Sequence, residues 1–319
     1  MKLSLKQLET FVLVSDLGSF KIAAERLGTT QPNISSRIAS LESSLATVLM
    51  ERDAGSVRLT VKGHELLGYA RNILSSVDEF VEAANGEAAF DGAVRLGVNE
   101  MVVHTWLRDF MKSFKARFPN VVIELSVDLS SVLEKNLAER SIDLAFQSGP
   151  FARKASGEHC LGVYPIIWVA SPLSGLGSSR HVSAQELSKF AILTHARRTR
   201  PYEEVAAHFA QWPKLKTRLV PSSNLSACLQ MTVDGYGVAA LLAPMVEQEL
   251  NNGQLIQVNY PWAPEPLSFA ARYDQSKSSS VVQSAAEIAH QCAKQYSHSF
   301  KSSFGQYSAG LLLDKKVSG

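Results

Sequence analysis

Gln31, Asn33, Ser35, Ser36 and Arg37 lie within seven residues and bring amide, hydroxyl and guanidinium groups together. That set suits nucleic acid. Arginine reads guanine through two hydrogen bonds, Gln and Asn can read adenine, and Ser hydroxyls and helix N-terminal amides suit phosphate. Thr30 precedes them as a helix cap, and Pro32 is tolerated in a first turn. Arg52, Arg58 and Lys62 are further candidates for phosphate contact. A second set is dispersed: Asn99, Glu100, Met101, Ser130, Ser131, Gln147, Ser148, Thr194, His195 and Asn224. Asn99, Ser130 and Thr194 are the preferred contacts, since short polar side chains beside helix N-termini can hold a small molecule without burying a bare charge. Glu100 is the exception and would oppose a carboxylate ligand. Arg197, Arg198 and Arg200 offer the opposite sign, or merely a solvated face.

Catalytic chemistry finds little support. His104, Asp143 and His195 show no spacing that argues for a triad. Ser174–Ser179 reads as a loop, not the strand-to-helix turn of a nucleophile elbow. No Walker loop and no HExxH is present. Cys160, Cys228 and Cys292 lie far apart without metal spacing and are expected to be buried thiols. No catalytic set, metal or cofactor is therefore expected.

With 319 residues the chain exceeds one typical domain, so two or three folding units are expected. Its 45% hydrophobic and 19% charged residues are ordinary for a globular protein. The net charge of +2 does not announce a nucleic-acid partner, although residues 1–62, with eight Lys/Arg against six Asp/Glu, carry all of it. Gln7, Glu9 and Asp16 interrupt any signal-peptide core. No stretch approaches the ~20 apolar residues of a membrane span. A cytoplasmic protein with no membrane partner is expected.

These residues need elements to position them. Leu5, Leu8, Val12 and Ser15, with Phe11 beside them, predict one helix, ended by Gly18. Ser19 caps a second, with Phe20, Ala23, Ala24 and Leu27 inside. After the turn at Gly28, the stripe Ile34, Ile38, Leu41, Leu45 predicts a third, whose opposite face carries the donor-rich set. Two helices joined by a tight turn, the second polar at its start, suit the major groove. An ordinary three-helix subdomain with a solvated polar face has the same spacing. Residues 51–60 read as a small hairpin around Gly55.

The segment Phe20–Leu27, then Thr30–Ile38 with Leu41 and Glu42, resembles the N-terminal signature of LysR-type transcriptional regulators. Glu51, Arg52 and Val57–Gly63 resemble that family's wing and the start of its linker helix, and Ser36 stands where many members carry a basic residue. The resemblance implies an N-terminal all-α winged helix-turn-helix over residues 1–62 and double-stranded promoter DNA as partner. Residues 60–89 lack proline and place Leu66, Ala70, Ile73, Val77, Phe80 and Ala84 at alternating four- and three-residue steps, a coiled-coil seam. Residues 63–90 would then be a dimerisation helix, which the resemblance extends to a homodimer or homotetramer, with RNA polymerase as a further candidate partner.

From Gly92 strand and helix alternate, predicting α/β structure with doubly wound parallel sheets. The predicted helices include Val102–Arg117 and Val281–Tyr296, and the resemblance implies a two-lobed, periplasmic-binding-protein-like effector domain over 91–296. Lobe I would hold 92–158 and 267–296, and lobe II 161–263. Ligands bind beyond the carboxyl ends of strands in such sheets, which selects the dispersed set above as a small-molecule effector site. The Ser-rich tail 297–319 is expected to be loosely ordered. The competing reading is a small-molecule binding protein or enzyme whose N-terminal helices only mediate oligomerisation. The donor-rich face at Gln31–Arg37 discriminates against it.

Overall fold

The computed structural model describes residues 3–53, 56–85, 92–177 and 180–304. Three helices open the chain: α1 (Leu5–Leu17), α2 (Phe20–Arg26) and α3 (Gln31–Leu45). Ser4 and Gln7 form a capping box on α1, and Gly18 ends it with φ 60°. Ser19 caps α2. Thr30 takes the cap position of α3 but makes no side-chain cap bond. The α2 and α3 stripes pack as their spacing predicts. The inner face of α1 is rotated from the expected one: Leu8, Thr10, Phe11 and Val14 are buried, while Leu5 is exposed.

The hairpin β1 (Met50–Asp53) and β2 (Ser56–Leu59) pairs antiparallel, Met50 opposite Leu59. Glu42 fastens it to α3 by accepting from the amides of Leu49 and Met50 at 2.7 and 3.1 Å. The long helix α4 (Val61–Asn85) follows, capped by Thr60 Oγ1, which accepts from the Gly63 amide at 2.9 Å. Helix α4 thus starts directly after Thr60, at the head of the proline-free run 60–89 and two residues ahead of the bound at 63. Its first turns cover the head: Leu67 and Ala70 are buried in the same core as Phe11 and Ile34, and Leu66 packs against it. This splits the expected seam. Ala70 and Leu66 serve the head, Val77 is half-buried, and Ile73 and Phe80 are exposed. The Ala84 side chain lies outside the described residues.

Beyond residue 92 stand two five-stranded sheets. Lobe I orders β4 (Val122–Val127), β3 (Ala93–Val98), β5 (Leu144–Ser148), β12 (Leu267–Tyr273) and β6 (Gly157–Tyr164). Lobe II orders β11 (Ile256–Gln257), β7 (Ile166–Ala170), β10 (Gly237–Leu242), β8 (Ala191–Thr194) and β9 (Arg218–Pro221). Both sheets are mixed, not all parallel. Strand β12, on which the chain returns from lobe II, runs antiparallel to β5 and β6, and β7 runs antiparallel to β10. The first crossing lies at Pro165, because β6 belongs to lobe I.

The expected helix Val102–Arg117 is two, α5 (Glu100–His104) and α6 (Leu107–Arg117), broken where Thr105 leaves helical geometry. Helices α7 (Ser130–Ala138), α8 (Ala184–Leu187), α9 (Arg200–Ala210), α10 (Leu225–Val233) and α11 (Ala243–Asn251) flank the sheets. The last helix, α12 (Ser280–Phe304), outruns the predicted Tyr296, so residues 297–304 are helical where a loose tail was expected. Phe300 explains the extension: it is buried against Tyr164 and Tyr296. Residues 305–319 lie outside the described ones.

The head and lobe I meet at Arg71 of α4. Its guanidinium is buried, pairs with Asp16 of α1, and donates to the Glu139 carbonyl at the end of α7 at 3.1 Å. Among the described residues no helix is long and apolar enough to cross a membrane.

Candidate nucleic-acid interface and effector cleft

The turn after α2, with Gly28 at φ 57°, sets α3 against the head with its N-terminal turns outward. Thr30, Gln31, Pro32, Asn33 and Ser36 are exposed, and Ser35 and Arg37 are half-exposed. Two of these side chains are already oriented. Asn33 Nδ2 donates to Thr29 Oγ1 at 2.8 Å. Arg37 Nη1 leans on Thr10 Oγ1 at 3.4 Å, while that hydroxyl donates to the Lys6 carbonyl at 2.6 Å. Thr10 is a positioning residue that the sequence did not disclose, because an isolated Thr on an apolar face carries no pattern. Arg58 is exposed on the hairpin. Lys62 is paired with Glu65 at 2.8 Å, which lowers its value as a phosphate contact. The Arg52 side chain lies outside the described residues.

Arg37→Ala is expected to weaken specific DNA binding by about 1–3 kcal/mol, the value of a bidentate base contact. The melting temperature should barely move, since the side chain is half-exposed. Mobility-shift titration checks this, and unchanged affinity would remove Arg37 from the interface.

Between the lobes runs a cleft of about 730 Å³. Of the ten expected contacts, Asn99, Glu100, Ser130, Ser131, Ser148, His195 and Asn224 line it. Met101, Gln147 and Thr194 do not: all three are fully buried behind the cleft wall. Each sits one residue along from a lining position, so its side chain turns inward. Several lining groups are committed to one another. Asn99 caps α5 and donates to Ser130 Oγ at 3.3 Å, and Ser130 Oγ sits 2.9 Å from Ser148 Oγ. Asn224 caps α10. Arg200 is paired with Glu204 and with the carbonyls of Glu265 and Pro266, and Arg197 is stacked on Tyr202. Arg198, at φ 64°, lines the cleft mouth.

The triad residues are not assembled. Asp143 accepts three hydrogen bonds from Arg95, two from its guanidinium and one from its amide, and His104 Nε2 lies 2.6 Å from Ser226 Oγ. Cys228 and Cys292 are buried as expected, but Cys160 is exposed, because β6 turns it outward.

Burial pushes the His195 imidazole down to about 4, against the opposing pull of Glu100. The unfolded group titrates near 6.5, so the unfolded chain takes up the proton first as pH falls. Its contribution to stability is complete above about pH 6.5 and is lost progressively toward pH 4. Urea midpoints measured at steps from pH 7.5 to 4.5 should fall more steeply for the parent than for His195→Gln. Equal slopes would place the acid sensitivity elsewhere.

A winged helical head, a long helix and two α/β lobes with a cleft between them define the architecture. The family models agree: "Bacterial regulatory helix-turn-helix protein, lysR family" matches residues 5–64, and "LysR substrate binding domain" matches residues 87–293. The chain belongs to the LysR family. HTH-type transcriptional regulator CzcR of Bacillus anthracis is 32% identical over 148 residues, covering 46% of this chain and 51% of that relative. The match thus spans about half the length of that curated relative. A full-length OxyR variant from Pseudomonas aeruginosa superposes with a TM-score of 0.71 at 18% identity, covering 93% of this chain and 96% of that one. CbnR complexed with its target DNA superposes at 0.59 and 19% identity, covering 91% and 100%. At these identities the two structures establish the shared fold.

Proposed function

We propose that this chain is a cytoplasmic, non-enzymatic transcription regulator that binds promoter DNA through α3 and the hairpin and responds to a small molecule between its lobes. The observation that carries the reading is the exposed polar start of α3, aimed away from a complete head core, with Arg58 exposed on the hairpin of the same head. A helix serving oligomerisation alone has no need of that surface.

Gln31, Asn33, Ser36 and Arg37 read base edges, while Thr30, Ser35, Arg58 and the α3 amides hold phosphates. Two copies, paired through the outer face of α4, span two half-sites, and further pairing gives a tetramer. Effector shifts the preferred relation of the lobes, and so of the heads, by its differential affinity for the two arrangements. Contact with RNA polymerase would then turn DNA geometry into output. Fragments of the source genome selected on the purified protein test this: a recurring two-fold-related sequence supports it, and recovery of fragments in proportion to their abundance contradicts it.

A further inference from the structure

The two walls of the cleft are joined by one carboxylate. Glu100, the first residue of α5 on lobe I, reaches to the first turn of α10 on lobe II. It accepts from the Leu225 amide at 2.7 Å, the Ser226 amide at 2.9 Å and the Ser226 hydroxyl. That hydroxyl has a single proton and gives it to Glu100, so His104 Nε2, 2.6 Å away, is the donor in its contact with Ser226 Oγ. Convergent donors at the positive end of a helix are how proteins hold small anions. Here the anion belongs to the chain. His195 lines the same cleft, is only 7% exposed, and has no hydrogen-bond partner at either ring nitrogen. A buried polar group left unpaired is costly, and the residue that carries this one lines a cavity of ligand size.

We propose that the α10 N-terminus, Ser226 and His104 form a carboxylate seat that the chain occupies with its own Glu100. A small carboxylate ligand enters by displacing this lobe-to-lobe latch, and His195 pairs with a polar group elsewhere on the ligand. The inference rests on the reading of the cleft as the effector site, and it adds the ligand's class and the event that its binding triggers. Displacement releases lobe I from lobe II at the only point where a carboxylate of one lobe is held by backbone amides of the other, among the described residues. It thereby links occupancy to lobe arrangement. Glu100 also sets specificity, because a neutral acceptor competes only weakly with a carboxylate for three donors.

Glu100→Ala and Glu100→Ser in the full chain empty the seat. Thermal melts are run in sodium acetate against sodium chloride at equal ionic strength, so that screening is matched. Both variants should melt below the parent in chloride. Acetate should restore them saturably, with a half-saturating concentration at least tenfold lower than for the parent. Adding Ser226→Ala to Glu100→Ala should abolish the restoration. An acetate response equal in parent and variants, or absent from both variants, overturns the seat. If a variant fails to fold in chloride, recovery in acetate supports the proposal and failure in both salts contradicts it. Operator binding by the parent is a separate measurement, so failure of the seat and failure of the regulator reading give different results.

Discussion

Phe80→Asp should convert a dimer into a monomer and weaken operator binding by about 100-fold or more, the scale on which joined binding sites exceed single ones. Phe80 is 76% exposed on α4, and Tyr69 and Ile73 share its side of the helix at 61% and 44%. Spacings of four and seven residues place these three on one face. A second copy of α4 laid along that face would bury them. An aspartate there would be desolvated without a partner. Because Phe80 contributes nothing to either core of its own chain, the monomer should stay folded and lose only the part of its melting temperature that dimerisation supplies. Sedimentation and mobility shift report the two effects separately. An intact dimer would move the seam off this face.

Gly63→Ala should destabilise the head by about 3 kcal/mol, the upper range for forcing atoms into a packed site. Helix propensity alone predicts the opposite, a gain of about 1 kcal/mol, because alanine is the better helix former. Packing decides the sign: a Cβ at position 63 would lie 2.1 Å from the Leu49 carbonyl oxygen. That oxygen belongs to the backbone and also accepts from the Thr60 amide, so it has little freedom to move. The start of α4 would be pushed off the hairpin, and DNA affinity should fall with stability. Urea denaturation followed by circular dichroism gives the magnitude, and a stabilised variant would contradict the close approach.

The readable parts of this chain are those governed by local periodicity. The α3 stripe, the burial of Ala23 and Ala24 on α2 and the pairing of the hairpin strands each answer to neighbours a few residues away. The phase of α1 is not readable, because Thr10 is buried through its link to Arg37, 27 residues distant. The α4 seam is only partly readable because one helix serves two cores, and a single spacing rule cannot apportion Ala70 and Phe80 between them.

Strand β6 escapes notice because two glycines and a register shift opposite Phe269 and Ala270 break its alternation. Helix α9 declares itself only once Pro201, Tyr202, Val205 and Phe209 are seen buried on one side. In the cleft, the rule that ligands gather at strand ends locates seven of the ten expected residues on the lining. It cannot tell which of two adjacent side chains turns inward at Gln147–Ser148 or Thr194–His195. The partner of Glu100 lies 125 residues away, beyond any spacing argument.

Control of particular promoters requires sequence-specific DNA binding by α3. The most direct measurement is competitive titration of the full chain between its selected duplex and a scrambled duplex of equal length, at one fixed salt concentration. Base reading by α3 predicts a preference of about 1,000-fold or more for the selected duplex, as specific regulators show over non-specific binding. Equal affinity for the two duplexes would contradict it.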